Sequence, residues 1–106
     1  MASRVRSVTW ALSAHAALDD AISYIFQDSP TAAANLLDAA LHAAATLATL
    51  AERGRIVPES ADPAIREIFV SDYRLMYEVR SDQVVVVAFL HGARDFTALQ
   101  QRQNPA

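Results

Sequence analysis

Glu67, Arg74, His91 and Arg94 are residue types that together could cleave a phosphate ester. Cutting RNA through its 2′-hydroxyl needs a base, an acid and a cation beside the phosphate. Histidine titrates near neutral pH and serves as acid or base, and a guanidinium grips phosphate with a rigid fork. A plainer reading stands beside this one. His91 is also the polar residue that closes an apolar run, and Arg66 and Glu67 are neighbours that face opposite ways on a strand. Each of that pair would then seek a cross-strand partner, such as Glu78 or Arg80. Charge weighs against a nuclease: from residue 64 to 96, four arginines stand against five acids. That is no basic funnel for a polyanion. His15 and His42 fall on helical stretches at a spacing that suits no shared metal, so no metal site and no cofactor is expected.

The elements that must position these residues are legible from pattern. Val5–Ala11 has the β-branched and aromatic content of a short strand. Ser13 then reads as the cap of a helix whose apolar face is Ala14, Ala17, Leu18, Ala21, Ile22 and Ile25. Asp28-Ser29-Pro30 ends it and begins the next, with Ser29 as N-cap and Pro30 in the first helical position. The second helix is expected to run to about Glu52, with Ala33, Leu37, Ala40, Leu41, Ala44, Leu47 and Ala51 on one face and Gly54 as the stop. So tight a junction makes the two helices an antiparallel hairpin. Residues 55–63, with two prolines, read as a loop. Three strands follow at 64–70, 73–79 and 83–91, joined by Ser71-Asp72 and Ser81-Asp82, and form an antiparallel meander. The last is apolar on both faces and belongs inside the sheet. In the middle strand Tyr73, Leu75, Tyr77 and Val79 face the core and Arg74 faces away. In the strand before it, Arg66, Ile68 and Val70 share one face, and Glu67 and Phe69 the other.

The 106 residues suit one domain with one core, about 5–96, and a tail from 97. The fold class is α+β, an N-terminal strand with a helical hairpin packed on a small curved antiparallel sheet. Net charge is −3, all nine cations are arginines, and there is no cysteine. Disulfides, zinc–thiolate sites and a cysteine nucleophile are thereby excluded, and a reducing cytoplasm is the expected location. No signal core and no membrane-length apolar run is seen.

The order of residues is similar to that of a known family. Ser29-Pro30 with its following alanines, Arg66-Glu67, Tyr73-Arg74-Leu75-Met76-Tyr77 and His91-Gly92-Ala93-Arg94-Asp95 together resemble the RelE/ParE toxins of bacterial type II toxin–antitoxin modules, from about Val8 to Phe96. Tyr-Arg-x-x-Tyr and His-Gly-x-Arg-Asp look more like the ParE branch. The resemblance implies a toxin that inhibits DNA gyrase by binding, neutralised in a hetero-oligomeric complex by a ParD-like antitoxin through which DNA is mainly contacted. It implies a toxicity surface at Arg74, His91, Arg94, Asp95 and Phe96, and antitoxin contacts at Tyr24, Phe26, Arg66, Ile68 and Val70. Two alternatives stay open. One is a RelE-like ribosome-dependent mRNA endonuclease with Glu67, Arg74, His91 and Arg94 as catalytic residues. The lysines of that branch are absent here. The other is a non-toxic member that only pairs with its antitoxin.

Overall fold

Strand, helix pair and meander appear in the expected order in the computed structural model, which describes residues 5–92. The elements are β1 (Ser7–Trp10), α1 (Leu12–Phe26), α2 (Pro30–Thr46), β2 (Arg55–Ile56), β3 (Ile65–Val70), β4 (Tyr73–Val79) and β5 (Gln83–His91). They make an α+β fold with one five-stranded sheet in the order β1-β5-β4-β3-β2. β5 is interior, as its two apolar faces require. The sheet is mixed rather than wholly antiparallel, because β1 pairs with β5 in parallel. The short strand β2, expected as loop, pairs Arg55 with Glu67 and Ile56 with Arg66. Two residues are too few to show a period of their own.

The hairpin starts and stops where local chemistry and packing agree. α1 begins at Leu12 and has no side-chain cap, so Ser13 does not play that part. The sheet fixes this terminus instead: the Ala11 N–H donates to the Val86 carbonyl, and the Ala11 carbonyl accepts from His15. Ser29 does cap α2, its hydroxyl accepting from the Ala32 N–H at 3.1 Å, with Pro30 in the first turn. α2 ends at Thr46, six residues before the expected Glu52. Its chain tightens there into i→i+3 bonds at Leu47, Ala48 and Thr49. The core-facing set is Ala33, Leu36, Ala40, Ala44, Leu47 and Ala51, whereas Leu37 is half-buried and Leu41 exposed.

The helices cover one face of the sheet. Leu18, Leu36, Leu47, Ile68, Val70, Leu75, Tyr77, Val84, Val86 and Phe89 form the main core there. A smaller cluster of Val57, Met76, Ala88 and Leu90 lies on the opposite face. β5 serves both because of a β-bulge. Tyr77 pairs with Val86 and Met76 with Ala88, so Val87 is the inserted residue. The insertion reverses the alternation. Val84 and Val86 face the helices before it, and Phe89 and His91 after it. No described helix is long and apolar enough to cross a membrane.

Candidate functional site

Alternation along β4 separates the two arms of the supposed catalytic set. His91 pairs with Tyr73 across β5 and β4, and the two rings meet edge to face at 5.5 Å between centroids. Tyr73 also stacks on Phe89 at 4.9 Å, on the helix-covered face. Arg74, the next residue, points to the other face. Arg74 and Glu67 therefore share one side of the sheet and His91 lies on the other, so the three do not converge on one phosphate.

On its own side Arg74 is a buried structural cation. Its Nε donates to Glu67 at 2.7 Å, and its two terminal nitrogens donate to the two carboxylate oxygens of Glu59, each at 2.9 Å. Its side chain is 7% exposed and that of Glu67 0%. Burial of a charge is tolerated only with such compensation. The hydrogen bonds it donates to Glu59 and Glu67 raise the Arg74 pKa beyond its already high value, so it stays charged at every accessible pH. The same guanidinium, by its hydrogen bonds, holds the Glu59 carboxyl below its usual range. Glu67 takes a second arginine at 2.6 Å, from Arg55, whose guanidinium also lies over the Phe69 ring at 5.6 Å. A carboxylate so engaged is no general base, and an arginine so engaged does not present a free fork to a target.

The other expected residues divide by burial. Tyr24 and Phe26 on α1 are exposed, at 66% and 57%, and remain available to a partner. Ile68 and Val70 are buried in the main core beneath the hairpin, where their side chains pack within the chain itself. Arg66 is half-buried, and its guanidinium donates to the Gly54 carbonyl at 2.8 Å and the Glu52 carbonyl at 3.4 Å. It closes the stretch after α2 and makes no ion pair with Glu78. Glu78 pairs instead with Arg80 on its own strand end. Arg94, Asp95 and Phe96 lie outside the described residues.

The described surface has one feature the sequence did not announce. A groove of about 670 Å³ opens between the closed end of the helical hairpin and the β3–β4 turn. Tyr24 and Ile25 come from α1, Asn35 and Leu36 from α2, Asp72 from the turn, and Tyr73 and His91 from the sheet. Ser71, beside them, has φ 54°, a left-handed turn conformation uncommon for a residue with a side chain. The Asp72 carbonyl accepts the Gly92 N–H at 2.7 Å, which ties the turn to the end of β5. Asn35 carried no signal in the linear pattern and Ser71-Asp72 read only as a turn, because only the fold brings them beside His91. Arg55 and Glu59 were missed for the same reason: their partners lie across the sheet.

Comparison with known proteins accords with this architecture. Residues 8–96 match the family described as the ParE toxin of type II toxin-antitoxin system, parDE. Among solved structures, a chain of the chromosomal ParDE TA system from P. aeruginosa is similar, with a TM-score of 0.67 and 19% identity. The match covers 82% of this chain and 96% of that one. At such identity the likeness concerns the fold. No curated protein gives a significant match.

Proposed function

The chain belongs to the ParE toxin family of type II toxin–antitoxin systems, and on that premise we propose that it acts by binding rather than by cutting. Its target is DNA gyrase, and a ParD-like antitoxin neutralises it in a hetero-oligomeric complex in the cytoplasm. The antitoxin makes most of the DNA contacts. The observation that carries the binding mode is the internal use of the cations. Arg74 is clamped by Glu59 and Glu67, Arg55 by Glu67, and Arg66 by two carbonyls. Affinity for a nucleic acid comes mainly from cations free to neutralise phosphates, and these three are engaged within the fold. The separation of His91 from Glu67 and Arg74 by the sheet supports the same reading.

In this reading His91, with Arg94, Asp95 and Phe96 just beyond β5, forms the toxicity surface. Tyr24 and Phe26 contribute to the antitoxin surface. Arg74 leaves the toxicity surface and becomes part of the scaffold, because its fork is filled.

The test is a gyrase supercoiling assay with purified protein, with and without the antitoxin encoded beside it, run next to mRNA cleavage in a translating extract. Trapped, cleaved DNA that disappears on adding antitoxin is the expected result. Cut mRNA with untouched gyrase would overturn the reading and return His91 to a catalytic role.

A further inference from the structure

His91 ends β5, and from Gly92 the chain runs on in sequence to Arg94, Asp95 and Phe96. The ladder between β4 and β5 closes with the pair Tyr73 and His91. One more bond lies past that pair. The Gly92 N–H donates to the Asp72 carbonyl at 2.7 Å, so the first residue beyond β5 is held by the turn between β3 and β4. Gly92 is not there for an unusual backbone, since no described glycine has a positive φ. It is there for space. A Cβ at this position would stand 3.1 Å from the Asp72 carbonyl oxygen, and the turn would have to give by a few tenths of an ångström. The missing side chain is what lets one backbone come this close to the other.

The turn that reaches Gly92 is itself strained. Val70 pairs with Tyr73, so Ser71 and Asp72 are the two residues of a tight hairpin loop. Among the described residues Ser71 alone has a positive φ, 54°. Hairpin loops that need such a backbone favour glycine there. A serine persists in that conformation only where its surroundings over-determine it. Two contacts beside it do so. One is the bond from Gly92 to the Asp72 carbonyl. The other is the Tyr73 ring, stacked on Phe89 at 4.9 Å and met edge to face by His91 at 5.5 Å. Asp72 thus fixes the backbone after β5, and Tyr73 fixes the ring of its last residue.

We propose, resting on the reading of His91, Arg94, Asp95 and Phe96 as the toxicity surface, that the β3–β4 turn is its positioning device. Ser71 and Gly92 set the direction in which the chain leaves β5, and Tyr73 sets the orientation of His91. All three are positioning residues: they act on the target through the groups they place. Binding groups must be held within about half an ångström of their productive place. A shift of a few tenths at the root of the segment grows along the residues that follow it. Potency should therefore depend on the fit between turn and Gly92 far more than overall stability does.

The experiment compares the full native chain with Gly92→Ala, Ser71→Val, Ser71→Gly and Val79→Ala. Three quantities are read: exchange of the residue-92 amide by NMR, the urea midpoint, and the amount of protein that arrests growth on expression. The native Gly92 amide should be protected although it lies past the last strand. Gly92→Ala should lose that protection, and roughly tenfold more protein should be needed for arrest, the equivalent of one charge-assisted contact. Ser71→Val puts a β-branched residue at positive φ and should do the same. Ser71→Gly adopts that backbone freely, so it should keep protection and potency and raise the urea midpoint. Val79→Ala, at the far end of β4, is the control: it should lower the midpoint and leave potency unchanged. Potency that follows the midpoint across all four variants, or that ignores Gly92→Ala, would overturn the proposal. Growth arrest keeps this test apart from the choice of target. If the native chain arrests growth with gyrase untouched, the target reading fails and the variants still decide the positioning. If it inhibits gyrase but potency ignores residue 92, the positioning fails and the target stands. A native chain that arrests no growth would overturn both.

Discussion

Arg74 shows how a residue type suited to chemistry becomes structural once its neighbours are known. With Nε on Glu67 and both terminal nitrogens on Glu59, it ties β4 to its neighbour β3 and holds the loop at Glu59 onto the sheet. Arg74→Ala would take from the buried Glu67 carboxylate one of its two cations, the one that is itself buried, and should lower stability by about 3 kcal/mol or more; urea unfolding checks this. Glu59→Gln removes a partly exposed partner and should cost only about 1 kcal/mol at neutral pH. The pH dependence gives a second readout. The folded-state pKa of Glu59 lies below its ordinary value of 4.5, so its contribution is present above that value and is lost as pH falls through the lowered folded pKa. Glu59→Gln should therefore lose less stability than the native chain over that acid window. Gly54 makes a related point about space. A Cβ there would stand 2.5 Å from both the Glu67 carbonyl oxygen and the Tyr77 hydroxyl. That hydroxyl accepts from the Gly54 N–H and donates to the Ala51 carbonyl. Gly54→Ala must displace backbone or break this buried link, and a loss of about 2 kcal/mol in urea unfolding is expected. Gly54 was expected to stop a helix; it is instead a place of close approach eight residues beyond the helix end.

At the scale of elements, α2 carries the clearest lesson. Its alanine and leucine content allows more than one apolar stripe, so periodicity chose Leu37 where packing chose Leu36. Leu36 is 6% exposed and its neighbour is half-buried. Leu36→Asp places an unpaired charge between hairpin and sheet and should unfold the chain, while Leu37→Asp should keep its circular dichroism and lose far less stability. An equal effect of the two would mean that the helix is rotated from this packing. Ser29-Pro30 was readable because a cap acts on its own next few residues. The start of α1 was not, because the bond that fixes Ala11 comes from Val86, on a strand late in the chain. The β-bulge at Val87 is hidden for the same reason. Four consecutive valines alternate identically whether or not one of them is skipped.

At the scale of the molecule, the hairpin and sheet divide the charge and leave two unlike surfaces. One is the groove lined by Tyr24, Asp72, Tyr73 and His91; the other is the opposite face of the sheet, where Arg74 is held by Glu59 and Glu67. Arg94→Ala should abolish growth inhibition on expression while leaving folding and antitoxin binding unchanged, since an arginine beyond the last strand is expected to carry little of the core's stability. Full toxicity of that variant would sink the assignment of the surface. The sequence by itself determined the class, the order of the helix pair and meander, the Ser29 cap, the faces of β3 and β4 and the family. All of these follow from local propensity, from periods of 2 and 3.6, or from ordered motifs. Tertiary structure decided the parallel pairing of β1 with β5, the strand β2, the burial of Ile68 and Val70, the capture of Arg74 by Glu59 and Glu67, and the assembly of the groove. Each of these depends on residues distant in the chain meeting across a sheet, and neither a charge nor a side chain's direction reveals its partner until the register is set.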